Sequence, residues 1–226
     1  MLLWFESNGL HRHLRVALFS LLVHTKQTLR KELLAARRAV SRHARVDAAL
    51  TVARFISRTR WLAPGKRIGI YASMPGELGT APLIALARAR GCEIYLPRIV
   101  SMRGRRLRFL PFSPRGRFHA FGMHEPVGTG FFPTRFLDTI FVPAVGLDVR
   151  GARLGHGAGF YDRALAFRRL RRHWRGPRLV ALAYAFQVVP RLPVEATDVF
   201  MDVIVTDRGI NELLAHEDRT VDVRHR

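Results

Sequence analysis

The chain has 226 residues, of which 48% are hydrophobic and 10% aromatic, so it can bury one sizeable core and is not a disordered protein. A single cysteine, Cys92, excludes an internal disulfide and fits a reducing, cytoplasmic location. The 38 basic and 17 acidic residues give a formal net charge of +21. Such a field attracts nucleotides and other polyanions, and nucleic acid nonspecifically, so charge alone does not choose between these partners.

The termini are expected to lie outside the folded domain. Residues 1–24 contain an apolar run, Val16–Val23, which is too short to span a bilayer. We interpret this segment as a dispensable extension, with a targeting role as the alternative, and expect no membrane association. Residues 25–214 are predicted to form a single domain, and residues 215–226 a polar tail that frays.

Two amphipathic helices are predicted before the first strand. The first begins at Thr25, and the second covers residues 41–60. Lys26 and Arg30, four residues apart, share one face of the first helix, either as a solvated basic face or as an anion site. The expected inward positions are Leu29, Leu33, Ala36 and Val40 in the first helix and Val46, Ala49, Leu50, Ala53 and Ile56 in the second.

A strand–helix–strand unit follows. Apolar, β-branched runs predict strands at residues 67–73 and 92–97, with a helix at residues 80–90 between them, which indicates a parallel sheet. Further buried strands are predicted at residues 139–145, 179–185 and 201–206. The expected fold class is therefore α/β, with three layers and a mostly parallel sheet covered by helices on both faces. Glu77 directly follows the first strand, where such sheets bind ligands, although by itself it would be an ordinary surface carboxylate.

The middle of the chain predicts a basic hairpin and an irregular segment. Residues 98–112 alternate around a turn at Met102–Gly104. Four arginines near this turn either keep the ribbon soluble or steer an anionic substrate tail: Arg103, Arg105, Arg106 and Arg108. Residues 113–135 are rich in Pro, Gly and Phe and are expected to form a wall over the site. His124 in this segment is interpreted as structural.

The central stretch has the order strand, glycine loop, helix. The loop contains Gly151, Gly155, Gly157 and Gly159, and one continuous helix is predicted from Phe160, with Ala164, Phe167, Leu170 and Trp174 on its apolar stripe. This order is typical of anion sites, because glycines let a phosphate approach free amides. Arg153 and Arg163 add positive charge, and Asp162 would need a cation such as Mg²⁺ between it and a phosphate. The alternative is a loop that needs glycine only for left-handed turns.

Specific motifs then identify a family resemblance. The run Phe-Val-Pro-Ala-Val-Gly-Leu-Asp-x-x-Gly-x-Arg-Leu-Gly-x-Gly-x-Gly-Phe-Tyr-Asp-Arg, from Phe141 to Arg163, resembles the signature of the 5-formyltetrahydrofolate cyclo-ligase family. The basic pair Lys26-x-x-x-Arg30 and the segments Tyr71–Glu77, Phe121–Pro126 and Pro193–Asp198 resemble other elements of that family. The match covers residues 25–207 in the expected order.

The resemblance implies a small-molecule enzyme, acting as a monomer, that uses ATP and Mg²⁺. It would phosphorylate the formyl oxygen of 5-formyltetrahydrofolate and let N10 attack, giving 5,10-methenyltetrahydrofolate, ADP and phosphate. The implied ATP-binding residues are Lys26, Arg30, Arg153, Leu154, Gly155, His156, Gly157, Ala158, Gly159, Phe160 and Tyr161. The implied folate-binding residues are Ala72, Met74, Glu77 and Tyr161. The implied metal ligands are Asp162 and Asp198, and the implied catalytic residues are Arg153, Tyr161 and Asp162.

Two positions depart from the family pattern. Ala158 stands where many members have a lysine, and Thr197 where histidine is frequent. Loss of a phosphate-facing cation would lower transition-state stabilisation. The rival interpretations are therefore a basic nucleotide- or RNA-binding protein with the same fold and little turnover, and an enzyme with a different folate or carboxylate substrate.

Overall fold

The computed structural model describes residues 25–113, 117–118, 124–126, 128, 130–170 and 176–213. Its helices are α1 (Lys26–Ala39), α2 (Arg42–Ser57), α3 (Ala81–Ala89), α4 (Phe160–Ala164) and α5 (Phe167–Leu170). Its strands are β1 (Arg67–Gly69), β2 (Glu93–Ser101), β3 (Arg106–Pro111), β4 (Arg117–Phe118), β5 (His124–Glu125), β6 (Thr139–Pro143), β7 (Gly146–Asp148), β8 (Arg153–Leu154), β9 (Arg178–Leu182), β10 (Val188–Val189), β11 (Val203–Thr206) and β12 (Gly209–Glu212). Three 3₁₀ turns cover Arg60–Leu62, Thr134–Phe136 and Ala185–Gln187.

A seven-stranded sheet in the order β12-β11-β9-β6-β1-β2-β3 organises the fold. Its five central strands run parallel, and β3 and β12 pair antiparallel at the two edges. From β1 the chain builds β2 on one side, then returns to place β6, β9 and β11 on the other. The strand order therefore reverses between β1 and β6, which is where ligands bind in open α/β sheets.

Both faces of this sheet are covered, as the apolar strands require. In β6, Ile140 and Val142 face one way and Phe141 the other, and all three are fully buried. On the Phe141 face, residues of α2 and α3 complete one core, whereas α4 and α5 pack on the Ile140 face. A small sheet, β10-β7-β8, packs with α1 through a third cluster. The expected α/β class, the mostly parallel sheet and the basic hairpin (β2 and β3) are confirmed.

Side-chain caps fix the starts of the first two helices. The Thr25 hydroxyl accepts a hydrogen bond from the Thr28 N–H at 3.2 Å, and the Ser41 hydroxyl accepts one from Ala44 at 3.2 Å. The inward positions differ from those expected. Ala36 is exposed, and the buried face of α1 contains Leu29, Leu33 and Arg37.

In α2 the predictions for Val46 and Leu50 were wrong, because these side chains are 52% and 53% exposed. The buried face instead has Ala48 and Ala49 alongside Val52, Ala53 and Ile56. Close packing explains this choice: a Cβ built on Gly79 would lie only 3.3 Å from the Ala49 Cβ, so small side chains are needed on this face of the helix.

The helix predicted from Phe160 is interrupted. It is divided into α4 and α5, and Leu165, where α4 ends, is fully buried in the second core. Other expectations concern residues outside the described part of the chain: residues 1–24 and 215–226, Trp174, and ten residues of the segment 113–135. Among the described residues, no helix combines the length and apolarity that crossing a bilayer requires.

Candidate active site

A cavity of about 980 Å³ opens at the carboxyl ends of β1 and β6, where the strand order reverses. The segment after β1 forms one wall, and the segment from β8 into α4 forms another. Helix α1 and the loop around Asp198 close the sides, and the tip of the β2–β3 hairpin contributes Met102 and Arg105. The topology thus gathers residues that lie far apart in the sequence.

Every site residue expected from the sequence lines this cavity. They are Lys26, Arg30, Ala72, Met74, Glu77, Arg153, Leu154, Gly155, His156, Gly157, Ala158, Gly159, Phe160, Tyr161, Asp162 and Asp198. No described residue of the segment 113–135 lines it, and the hairpin contributes to one side. Ten residues of the segment lie outside the described part of the chain, so the wall expected there stays a prediction.

The glycine loop offers backbone N–H groups to the cavity. Within the described chain, the N–H groups of residues 156–159 donate to no other protein group. Gly157 and Gly159 have φ of +102° and +68°, which L side chains rarely adopt. Because α4 has only five residues, its dipole adds little, and the loop amides carry most of the attraction for an anion.

Arg30 places a guanidinium against this loop. Its Nε donates to the Gly155 carbonyl at 2.8 Å, and a Cβ built on Gly157 would lie 3.7 Å from the Arg30 Cζ. Helix α1 therefore brings a cation beside Ala158, the position where many family members have a lysine.

Arg153 and Asp162 form an ion pair through a single guanidinium nitrogen. One terminal nitrogen of Arg153 lies 2.9 and 3.0 Å from the two carboxylate oxygens of Asp162. The Arg153 side chain is 4% exposed, and its Nε is buried without a hydrogen-bond partner among the described residues. Its guanidinium also lies over the Tyr161 ring, 5.7 Å from the centroid.

Lys26 forms a second cluster with acids from the far end of the chain. Its ammonium donates to Asp198 Oδ2 at 2.7 Å and to Glu195 Oε1 at 2.9 Å. Burial alone would lower the pKa of Lys26, but the two hydrogen bonds and the negative charges outweigh it and raise the pKa. Asp162 and Asp198, the expected metal ligands, are thus each paired with a cation.

Asp148 holds the turn between β7 and β8 that leads into this segment. Its buried carboxylate accepts hydrogen bonds from the backbone N–H groups of Arg150, Ala152 and Leu192, at 2.9 to 3.0 Å. The Arg150 side chain adds two more, at 3.0 and 2.6 Å. The motif's aspartate therefore fixes the backbone that presents Arg153.

At the other end of the cavity, Glu77 is 7% exposed and fixed in direction. Its Oε2 accepts the Met74 N–H at 3.0 Å, while its Oε1 lies 3.4 Å from His156 Nε2 and 3.8 Å from Arg37 Nη2. The Tyr184 hydroxyl donates to the Glu77 carbonyl at 3.3 Å. A buried carboxylate in this setting suits a ligand with two adjacent N–H donors.

Tyr161 lies between the two ends of the cavity. Burial raises the pKa of its hydroxyl well above the ordinary value, and the charge of Glu77 raises it further, while Arg153 lowers it. The phenol therefore stays protonated throughout the neutral range, so it can donate a hydrogen bond but does not act as a base.

Several lining residues were not expected from the sequence. Arg37 is buried and lies seven residues after Arg30, so helical periodicity was the signal that could have found it. Arg105 has a left-handed φ of +46°, and the Arg163 side chain donates to the Gly104 carbonyl at 3.0 Å, which ties the hairpin tip to α4. That contact is tertiary and has no local sequence signal. The other unexpected charged lining residues are Arg38, Arg169 and Glu195.

Comparisons with known proteins agree with this geometry. A sequence profile of the 5-formyltetrahydrofolate cyclo-ligase family matches residues 23–207, which is most of the chain. The chain belongs to the 5-formyltetrahydrofolate cyclo-ligase family.

The alignments with individual members of that family extend over most of each relative's length. The 5-formyltetrahydrofolate cyclo-ligase of Escherichia coli is 33% identical over 151 residues, covering 64% of this chain and 80% of its own. The protein of the same name from Mycolicibacterium smegmatis is 31% identical over 204 residues, covering 82% of this chain and 96% of its own. The NMR structure of 5,10-methenyltetrahydrofolate synthetase from Aquifex aeolicus matches with a TM-score of 0.70 and 29% identity, covering 89% of this chain and 99% of that one.

Proposed function

We propose that this chain catalyses the ATP-dependent ring closure of 5-formyltetrahydrofolate to 5,10-methenyltetrahydrofolate, releasing ADP and phosphate. The observation that carries the proposal is the cavity at the strand-order reversal. It combines a phosphate-binding end and a carboxylate end in a member of the cyclo-ligase family. The two ends are separated along α1, where Lys26 and Arg37 lie about 16 Å apart at 1.5 Å per residue.

The nucleotide end provides charge neutralisation without a side-chain nucleophile. ATP supplies the phosphoryl group that makes the formyl oxygen a leaving group, after which N10 bonds to the formyl carbon and phosphate departs. Phosphoryl transfer of this kind requires mainly alignment and electrostatic stabilisation. The loop amides of residues 156–159, Arg30 and Lys26 line the cavity and would contact the phosphates, while Arg153 would stabilise the charge that develops in transfer.

The acids at this end fit Mg²⁺. Asp162 and Asp198 offer the hard oxygen ligands that this ion prefers, and phosphate oxygens and water would complete its coordination. The described residues contain no cluster of three or more His, Cys, Asp or Glu side chains that would hold a metal by themselves, so a site shared with the nucleotide fits this chain. Binding would separate Asp162 from Arg153 and Asp198 from Lys26, which leaves both cations available for phosphate.

The folate end would bind the pterin ring through Glu77. Its carboxylate can accept two parallel hydrogen bonds from adjacent ring N–H groups, and Met74 and Ala72 line the cavity beside it. Because Tyr161 is protonated and lies between Glu77 and Arg153, it is placed to donate a hydrogen bond near the reacting atoms. His156 contacts Glu77 at 3.4 Å and must move aside when the ring binds.

The test combines turnover with a matched pair of variants. Purified full-length protein with 5-formyltetrahydrofolate, ATP and Mg²⁺ should form the methenyl product, followed by its near-ultraviolet absorbance, with one ADP per product. Asp162→Ala should lower the rate by at least about a hundredfold, a size typical of lost electrostatic stabilisation. Asp47→Ala, at an exposed carboxylate outside the cavity, should keep the rate of the wild type.

Absence of both product and ATP consumption in the wild type would refute the proposal. If nucleotide still bound with appreciable affinity in that case, the alternative of a nucleotide- or RNA-binding protein would be favoured. A near-normal rate for Asp162→Ala would remove this carboxylate from the metal site while leaving the reaction assignment unaffected.

A further inference from the structure

Three cations lie along one face of α1. Lys26, Arg30 and Arg37 are separated by four and seven residues, which places them on one stripe of a helix. Lys26 meets Asp198, and Arg30 meets the glycine loop. Arg37, at the other end of the stripe, reaches Glu77 and has no part in the nucleotide end of the cavity.

Arg37 is a buried charge with few direct partners. The residue is 3% exposed, its Nε donates to the Gly76 carbonyl at 3.1 Å, and its Nη2 lies 3.8 Å from Glu77 Oε1. Its Nη1 is buried without a hydrogen-bond partner among the described residues. Burying a guanidinium in this way is costly, and an apolar side chain of similar size would stabilise the fold as well or better. Stability therefore does not explain an arginine at this position.

The contacts of Arg37 converge on the turn that carries Glu77. The Glu77 N–H donates to the Met74 carbonyl at 2.9 Å, and its Oε2 accepts the Met74 N–H in return. Gly76 has a φ of +86°, so the Pro75–Gly76 turn is tightly closed. Arg37 holds this turn twice, through the Gly76 carbonyl and through the charge on Glu77 Oε1. The 3.8 Å separation is too long for a hydrogen bond, so the second interaction is electrostatic.

We propose that Arg37 is the positioning residue for folate recognition: it fixes the Met74–Glu77 turn and keeps the Glu77 carboxylate directed into the cavity. The inference rests on the proposed function, because it assumes that Glu77 binds the pterin ring. It also makes α1 a shared wall, with Lys26 and Arg30 serving the nucleotide and Arg37 serving the folate. Loss of the Arg37 side chain should therefore affect one ligand and spare the other.

The experiment measures both affinities separately in the full-length protein, by calorimetric titration with 5-formyltetrahydrofolate and with ADP plus Mg²⁺. Arg37→Gln should weaken folate binding by about tenfold, which is about 1.4 kcal/mol. Nucleotide binding should stay within about twofold, as for a surface substitution. Arg37→Lys keeps the positive charge but not the planar guanidinium with its several N–H donors, so it should bind folate more tightly than Arg37→Gln and less tightly than the wild type. Arg54→Gln, at an exposed arginine of α2, should leave both affinities unchanged.

The Arg37→Gln/Glu77→Gln double variant separates positioning from general loss of structure. If Arg37 acts through Glu77, the double variant should bind folate no more weakly than Glu77→Gln alone. The inference is overturned if Arg37→Gln binds folate like the wild type, if it weakens both ligands equally, or if the double variant shows additive losses. If Arg37→Gln does not fold, the same comparison is made with Arg37→Lys: its loss of folate affinity should exceed its loss of nucleotide affinity. A wild type that binds nucleotide but not 5-formyltetrahydrofolate would instead refute the proposed function and this inference with it.

Discussion

Replacing Asp148 by Asn should test how firmly the β7–β8 turn depends on one buried charge. One carboxylate oxygen accepts the N–H groups of Arg150 and Ala152, and the other accepts Leu192 N–H and two bonds from the Arg150 side chain. Asparagine is isosteric but offers one oxygen and one NH₂ group. Whichever way the amide is oriented, its NH₂ faces at least two other donors.

The magnitude follows from this count. The variant breaks a buried ion pair on one side and leaves at least two buried donors without an acceptor. Removing one partner of a buried pair costs about 3–5 kcal/mol. Because natural domains have free energies of unfolding of about 5–15 kcal/mol, the loss would be a large fraction of the total.

Urea unfolding followed by circular dichroism measures the effect, with Asp47→Asn as the exposed control. Arg150→Gln should cost less than Asp148→Asn, because the carboxylate would keep its three backbone donors. A loss below about 1 kcal/mol for Asp148→Asn would refute the reasoning, since it would mean that the turn rearranges or that water enters to satisfy these groups.

Three further outcomes are expected. Gly151→Ala should lower the free energy of unfolding by at least about 1–2 kcal/mol in urea, because φ is +88° and a Cβ would lie 2.7 Å from a backbone carbonyl. Burial would raise the pKa of Asp138, but hydrogen bonds from Arg67 and a lysine outweigh it and lower the pKa. Its contribution to stability is therefore present above the ordinary pKa of about 3.9 and is lost as pH falls through the folded-state pKa. Asp138→Asn should accordingly lower the free energy of unfolding at pH 7. Urea titrations at several pH values should show that the difference between variant and wild type becomes smaller below about pH 4; a difference that does not change with pH would contradict this. Arg153→Lys should lower kcat by about tenfold or more in steady-state assays, because lysine lacks the planar guanidinium that lies over the Tyr161 ring and that can contact phosphate oxygens through two nitrogens; a normal kcat would argue that a positive charge alone suffices.

The sequence predicted the sheet well because its strands are buried on both faces. Runs such as Thr139–Pro143 are continuously apolar, and this signal does not depend on which neighbour the strand pairs with. The helix faces were harder to predict. Hydrophobicity alone would bury Val46 and Leu50, but the close approach of Gly79 to α2 favours alanine there. The break after α4, at the fully buried Leu165, likewise has no signal in the spacing of the apolar residues.

The site was predicted as a set of residues but not as a set of contacts. The motifs identified residues that share one cavity, and helical spacing would have added Arg37. No spacing rule joins Lys26 to Asp198 or Glu77 to His156, because these pairs are 172 and 79 residues apart. The ion pairs of Asp162 with Arg153 and of Asp198 with Lys26 were also unforeseen, because a motif names residues and not their contacts with one another.

The composition of α1 has a consequence for how the protein responds to its ligands. Two of its apolar side chains, Leu29 and Leu33, are buried, and Leu34 is partly buried against the same cluster. Lys26, Arg30 and Arg37 add polar contacts to the rest of the domain. A helix with few buried apolar contacts unfolds locally more readily than a strand in the centre of the core. Backbone amides of α1 should therefore exchange with deuterium faster than those of β6 or β9, and either ligand should slow that exchange. Ring closure requires both reactants to be bound at the same time. If each ligand orders α1, binding of one ligand would favour binding of the other.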